Sequence, residues 1–204
     1  REPGTREKVF DDSVEGARVY GDAELSYPFR PFMGTMATAR RVEALSSLTP
    51  SSNGGNMDTP ETKPGNTLYL PVNVPGAYFY VGDGHGGQGD GELTGFACEM
   101  AARIKLRFRV IKGKTINWPR IESPTHLMVI GSARPMEDSA RIAFAELSNW
   151  MVELGWQKDL AYQALGQIGE MSVANIVDTY YSMTAKVSKE FINQARAEKL
   201  TKFM

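Results

Sequence analysis

Between Val81 and Glu92 the chain reads Val-Gly-Asp-Gly-His-Gly-Gly-Gln-Gly-Asp-Gly-Glu, six glycines interleaved with two aspartates, a glutamate, a glutamine and a histidine. No other stretch restricts the fold as strongly. Glycine lacks a Cβ, reaches backbone conformations closed to other residues, and costs extra entropy to order. A run this dense belongs where the backbone bends tightly around something polar. The side chains it presents are those that hold a divalent cation and move a proton. The pattern predicts an active-site loop.

The remainder supplies an ordinary frame. With 204 residues, 42% hydrophobic and 23% charged, the chain has the balance of a globular protein with one substantial core. A net charge of −1 gives no broad attraction to nucleic acid or anionic lipid. No apolar run approaches the ~20 residues of a membrane span, so neither nucleic acid nor a membrane is expected as a partner. Cys98 is the single cysteine, which excludes an intrachain disulfide framework. It follows Gly95-Phe96-Ala97 and reads as a buried, inert thiol. The chain opens at Arg1 on a polar stretch, without an initiator Met or a signal-peptide pattern. A cytoplasmic location is expected, and so is a partner segment outside this chain.

Three regions follow from the patterning: an N-terminal arm over 1–27 with one short strand, a functional region over 28–192, and a C-terminal tail over 193–204. Pro28, Pro31 and Gly34 mark an irregular approach to the small residues Thr35–Ala39. Residues 45–66, rich in Ser, Pro, Gly, Asn and Thr, read as loop, and they carry a second polar cluster, Gly54-Gly55-Asn56-Met57-Asp58. Leu68, Leu70, Val72 and Val74 alternate as in a strand, and Ala77–Val81 leads straight into the glycine run. Ile104–Lys112 gives the clearest strand pattern, with apolar 104, 106, 108 and 110 against basic 105, 107 and 109. Its basic row reads as a solvated face in preference to a nucleic-acid stripe. Leu127–Ile130 predicts another strand. Ala140, Ala143, Phe144, Leu147, Met151 and Leu154 predict a helix opened by Pro135 and closed by Gly155. A second helix fits Asp159–Ile168, Val173–Val177 reads as a returning strand, and 186–203 has helix-forming composition.

Asp83 and His85 stand two apart, so in extended backbone both project to one side and can reach one ion. Asp90 and Glu92 repeat the spacing across Gly91, and Asp58 arrives from a separate loop. One histidine with two carboxylates leaves a coordination position open for water, and Glu92 is the preferred general base. Other readings stay open here. His85 can be a hydrogen-bonding histidine within a turn, and Asp58 and Asp83 can cap their own loops. The glycines can be tight turns around a phosphate, although no Gly-Lys-Ser/Thr follows and no G-x-G-x-x-G opens a helix. His126, just before an apolar strand, reads as structural. A site of His with carboxylates suits Zn²⁺, whereas an all-oxygen set suits Ca²⁺ or Mg²⁺.

In their order and spacing, Pro31–Ala39, Gly54–Asp58, Gly65–Val72, Gly76-Ala77 and Gly82–Glu92 resemble the acetamidase/formamidase family across about residues 28–192. The likeness is to the C-terminal part of the family chain. It implies an α+β fold: a β-rich sandwich or barrel-like scaffold with two or three helices packed on it in the C-terminal third. It implies an amidohydrolase that splits the carbon–nitrogen bond of a small amide into a carboxylate and ammonia. A divalent metal is implied too, zinc before calcium or magnesium. Carried over residue by residue, Asp58, Asp83 and His85 become metal ligands. Asn56 and Gln88 contact substrate or water, and Glu92 with His85 forms the catalytic pair. A homo-oligomer is expected, with a separate N-terminal chain as its possible complement. Gly86-Gly87 replaces the small Ala pair usual in the family, which leaves more room after the histidine. The alternatives are one subunit of a two-chain amidohydrolase, a relative acting on a lactam or carbamate, and a binding protein without catalysis. Tyr78, Phe79, Tyr80, Phe96 and Trp118 either line the substrate pocket or pack in the core.

Overall fold

The computed structural model describes residues 16–20 and 23–194. Its first strands, β1 (Gly16–Tyr20) and β2 (Ala23–Tyr27), pair with each other as a hairpin. Then come β3 (Phe32–Ala37), β4 (Gly54–Asn56), β5 (Thr67–Tyr69), β6 (Tyr80–His85), β7 (Arg120–Glu122) and β8 (His126–Ala133). Helices α1 (Met136–Glu153) and α2 (Lys158–Ile168) precede β9 (Glu170–Asn175) and β10 (Tyr181–Ser188), and a third helix is described over 189–194. Every strand pair is antiparallel. One sheet runs β5-β7-β8-β10-β9 and the other β4-β3-β6, and neither closes into a barrel. The fold is α+β with open sheets. Among the described residues no helix is long and apolar enough to cross a membrane.

Strand β8 explains the layering. Its Leu127 and Val129 join Ala185 and Val187 of β10 in a core with Ala143, Leu147, Trp150 and Met151 of α1. The intervening Met128 and Ile130 point the other way, into a second core with Ile121, Met36 and Met57. Successive strand side chains face opposite sides, so a strand apolar at every position is buried on both faces. β8 therefore sits between the helical layer and the smaller sheet. Each such side chain stabilises the fold by about 1.5–3 kcal/mol when fully buried, so this strand ties the three layers together.

Both helices match their sequence pattern. α1 ends where Gly155 takes φ +98°, the left-handed turn that glycine adopts without steric cost. The backbone N–H groups of Gly155 and Trp156 then cap the carbonyls of Val152 and Met151 at 2.9 and 3.1 Å. Other expectations are corrected. The N-terminal arm holds two paired strands in its described part where one short strand is expected; its remaining residues, like the tail from 195 onward, lie outside the described residues. Residues 32–37 and 54–56, read as irregular approach and loop, are the paired strands β3 and β4. β6 runs on to His85 and does not stop at Val81, because backbone without side chains lets neighbouring strands close on it. Residues 186–188 end β10, and the helix starts at 189. Ile104–Lys112, the clearest strand pattern, belongs to no sheet. A strand needs a hydrogen-bonded neighbour as well as an alternating pattern, and among the described residues this segment has none.

Candidate active site

The edge of the smaller sheet gathers the polar residues. Asp83 and His85 come from β6, Asp58 follows β4, and Glu92 ends a single helical turn at Asp90–Glu92. His85 Nε2 lies 3.0 Å from Asp83 Oδ1, 3.3 Å from Glu99 Oε1 and 3.9 Å from Glu92 Oε1. Ligand atoms of Asp58, Asp83 and His85 all fall within 4.8 Å of one another, and so do those of His85, Glu92 and Glu99. Asp90, which shares the i, i+2 spacing with Glu92, is exposed and stays outside the group.

Gln88 fixes how His85 is protonated. Its amide Nε2 donates to the carbonyls of Asp58 at 2.6 Å and Ala174 at 2.9 Å. The amide oxygen therefore faces His85 Nδ1, 3.1 Å away. An amide oxygen only accepts, so Nδ1 carries the proton and neutral His85 presents a bare lone pair at Nε2. That lone pair points at three carboxylates. Such an arrangement calls for a positive charge between them, either a proton or a cation.

Asp58 makes the same demand. It is fully buried, and its Oδ2 accepts Nδ2 hydrogen bonds from both Asn56, at 2.7 Å, and Asn175. Those two amides also donate to Asp178 Oδ2, each at 2.9 Å, closing a ring of two asparagines and two aspartates. Asn56 is itself oriented by Thr35, whose hydroxyl donates to Oδ1. The other oxygen, Asp58 Oδ1, is buried with no hydrogen-bond partner among the described residues. A buried carboxylate oxygen without a partner is costly. Burial first, then the negative charge of Glu92, raises the Asp58 carboxyl to about 10. Burial likewise pushes Glu92 above the usual carboxylate range. At Asp83 burial is outweighed by the hydrogen bond and charge of His85, which hold the carboxyl low. Burial also opposes a charged His85, yet Asp83, Glu99 and Glu92 together raise its pKa.

Local backbone strain coincides with the site. Asp58, Asp83 and Glu92 have φ of 45°, 62° and 47°, in the left-handed region that non-glycine residues rarely enter. Each such residue costs of order 1–3 kcal/mol and persists only where its surroundings over-determine it. Part of that determination comes from Gly34, whose carbonyl accepts the N–H groups of Met57 and Asp58 at 3.1 and 3.2 Å. A Cβ on Gly34 would stand 2.3 Å from both Asp58 Oδ1 and Asp83 Oδ2. The donor set, the orphaned oxygen and this cradle fit a divalent cation held by Asp58, Asp83 and His85.

Asp58, Asp83, His85 and Glu92, all read from sequence, thus converge, and Asn56 and Gln88 stand directly behind them. Glu99, Asn175, Asp178 and Gly34 were not anticipated in the site. Glu99 and Asn175 did leave a signal, as polar residues inside the mostly apolar runs 96–102 and 173–177. β9 carries an irregularity opposite Ser182 and Met183 that turns successive groups inward: the Ala174 carbonyl to Gln88 and the Asn175 side chain to Asp58. Of the aromatics, Trp118 and Phe79 pack against the two cores, whereas Tyr78 and Phe96 are 70% and 73% exposed. His126 keeps a structural setting, with Thr125 at 2.8 Å and Glu170 at 3.5 Å.

Known proteins share this fold. The crystal structure of an acetamidase from Yersinia enterocolitica superposes with a TM-score of 0.80 at 37% identity, covering 90% of this chain and 55% of that one. An acetamidase from Bacillus halodurans gives 0.81 at 30% identity, covering 87% and 60%. A formamidase of Methylophilus methylotrophus is 35% identical over 80 residues, which are 39% of this chain and 20% of that protein. An acetamidase of Mycolicibacterium smegmatis is 36% identical over 81 residues, again 39% and 20%. The chain thus spans a little over half the length of its solved relatives, and its aligned part is about a fifth of the curated ones. The sequence profile described as the Acetamidase/Formamidase family matches residues 23–187, from the first residue of β2 almost to the end of β10. All of the converging residues fall inside that match, and the chain belongs to the acetamidase/formamidase family.

Proposed function

We propose that this chain hydrolyses the carbon–nitrogen bond of a small amide, releasing ammonia and a carboxylate, with Asp58, Asp83 and His85 as ligands of a divalent cation. One observation carries the reading: a ligand atom each of Asp58, Asp83 and His85 lies within 4.8 Å of the others, and Oδ1 of the buried Asp58 has no hydrogen-bond partner among the described residues. Histidine with carboxylates favours zinc over calcium or magnesium. When bound, the cation supplies Lewis acidity toward the amide carbonyl and lowers the pKa of water from ~15.7 toward ~7.

The protein's own part is proton handling and positioning. Glu92, 6% exposed and held above the ordinary carboxylate range by burial, accepts a proton as the water oxygen bonds to the carbonyl carbon. It returns that proton to the amide nitrogen as the carbon–nitrogen bond breaks, so ammonia leaves neutral. Asn56 and Gln88 have their hydrogen bonds committed to protein partners. In this reading they position Asp58 and His85 and do not touch the substrate. A homo-oligomer is the assembly we propose. The alternative to that assembly is one subunit of a two-chain hydrolase.

Elemental analysis of the natively purified chain, paired with product release from formamide, acetamide and a small lactam, tests the proposal. Stoichiometric zinc with ammonia from a linear amide is the expected result. Turnover that survives complete removal of metal overturns the cation reading. Metal-loaded chain of monomeric native mass that cleaves none of the three assigns it to the two-chain reading.

A further inference from the structure

Asp178, in the connection between β9 and β10, belongs to neither group of converging ligand atoms, yet it shares every amide donor that holds Asp58. Asn56 Nδ2 donates to Asp58 Oδ2 at 2.7 Å and to Asp178 Oδ2 at 2.9 Å. Asn175 Nδ2 donates to the same two oxygens, reaching Asp178 at 2.9 Å. An amide group has two N–H hydrogens, so both asparagines spend all of theirs on these two carboxylates.

The amide oxygens show what fixes each asparagine. Asn175 Oδ1 accepts the backbone N–H groups of Val177 and Asp178 at 2.9 and 3.0 Å. Backbone N–H groups only donate, so Asn175 is pinned from its oxygen side as well. Asn56 is not. Its Oδ1 meets the Thr35 hydroxyl, and a hydroxyl donates or accepts with equal ease. Thr35 would therefore tolerate either face of that amide. The Nδ2 group of Asn56 is turned inward by its two acceptors, Asp58 and Asp178. Asp178 is anchored in turn, since its carbonyl accepts Arg134 Nη2 at 2.7 Å and that guanidinium lies 4.3 Å from the Tyr181 ring centre.

The consequence falls on Asp58. With two donors on Oδ2, both lone-pair positions of that oxygen are filled, and Oδ1 is left to meet a cation. We propose that Asp178 is a positioning residue of the candidate cation site: through the amides of Asn56 and Asn175 it keeps Asp58 Oδ2 occupied, so that Asp58 meets the cation through Oδ1 alone. The inference rests on the reading of Asp58, Asp83 and His85 as cation ligands. Asp178 touches neither cation nor substrate. A carboxylate that only closed the chain between β9 and β10 would support folding and leave cation affinity unchanged.

The test measures zinc affinity of the intact chain by competition with a chromophoric chelator, and the melting temperature of the metal-free chain alongside it. Asp178→Ala removes the shared acceptor, and affinity is expected to fall roughly tenfold or more, the scale on which outer partners govern metal binding. Asp178→Asn offers the two amides an oxygen of the same reach, and is expected to bring affinity back to within a few-fold of wild type. Asp178→Ser, polar but too short to span both amides, replaces the alanine variant if that chain does not fold, with the same loss expected. A wild-type chain that takes up no zinc overturns the cation reading and this inference with it. Zinc uptake by wild type, with equal affinity in Asp178→Ala or Asp178→Ser, overturns the inference alone, whatever happens to the melting temperature. Asp178→Asn as weak as Asp178→Ala also overturns it, because the carboxylate then acts by its charge and not by orienting the amides.

Discussion

Gly34 lies directly beneath the carboxylate of Asp58: a Cβ there would come within 2.3 Å of Oδ1, while the Gly34 carbonyl receives the Asp58 N–H at 3.2 Å. Backbone and side chain of one aspartate are thus both set by a residue that must have no side chain. The Asp58 carboxylate is held from behind by Asn56 and Asn175, and Asp83 rests against the buried His85 ring, its Oδ1 3.0 Å from Nε2. Neither can swing away at low cost. Gly34→Ala is expected to abolish zinc uptake and hydrolysis together, and to destabilise the fold by about 1–3 kcal/mol as an overpacked site does. Zinc content after dialysis against the free metal checks it. Wild-type occupancy in the variant would show that the two carboxylates are not fixed as described.

The tautomer of His85 yields a second prediction. Gln88 holds the ring with Nε2 bare by accepting from Nδ1 at 3.1 Å, and it is fixed in turn by two backbone carbonyls. Outer partners of this kind typically govern metal affinity by 10–100-fold, and loss on that scale, roughly tenfold or more, is expected for Gln88→Ala. Competition of zinc between the variant and a chromophoric chelator measures it directly. An affinity unchanged from wild type would remove Gln88 from the site's function.

Glu92 is the one site carboxylate that combines burial, a left-handed backbone and a raised carboxyl with contact to His85 at 3.9 Å. Glu92→Gln keeps the shape and removes the proposed proton acceptor. Turnover is expected to fall by about 10²–10⁴-fold, the usual worth of a positioned general base, at unchanged zinc content. Activity within a few-fold of wild type would assign the proton transfer elsewhere, with Glu99 the next carboxylate in reach of His85 at 3.3 Å.

How much of this was legible follows from what each residue does. The helices were readable because their burial is one-sided and periodic, as in Ala143, Leu147 and Met151 of α1. β8 was readable because both of its faces are buried. β10 was not, because Ser182 and Thr184 are as completely buried as Met183 and Val187. Their hydroxyls are satisfied by Ser132 and Thr59, partners remote in sequence. The Ile104–Lys112 pattern misled for the complementary reason: alternation reports what a strand would bury, not whether a neighbour is there to pair with it. In the site, Asp83, His85 and Glu92 declared themselves through the glycine run, and Asp58 through the polar cluster Gly54-Gly55-Asn56-Met57-Asp58. Asp178 could not, since its role exists only through a ring closed across 122 residues of chain.

A pH-dependent contribution to stability sits far from this chemistry, at the junction of β7 and α1. Arg120, 3% exposed, donates to Glu146 at 2.6 Å and to Glu153 at 2.8 and 2.9 Å, with its guanidinium 5.1 Å from the Trp150 ring centre. The hydrogen bonds from Arg120, against the opposing effect of burial and with help from Lys114, hold the Glu153 carboxyl at about 2, below its ordinary 4.5. A carboxyl whose pKa is lower in the folded state than in the unfolded one stabilises the fold fully above the unfolded value. That contribution fades as pH falls toward the folded value. The Glu153 contribution is therefore complete above about 4.5 and lost progressively down to about 2. Glu153→Gln is expected to lower the melting temperature at neutral pH by a few degrees, at about 2–4 °C per kcal/mol for a chain this size. The gap to wild type should then close as pH drops through that window, because the wild-type carboxylate is neutralised there while the amide is indifferent. Melting curves from pH 7 to pH 2.5 decide the matter: a gap that stays constant or widens on acidification would mean that Glu153 is not the titrating partner of Arg120.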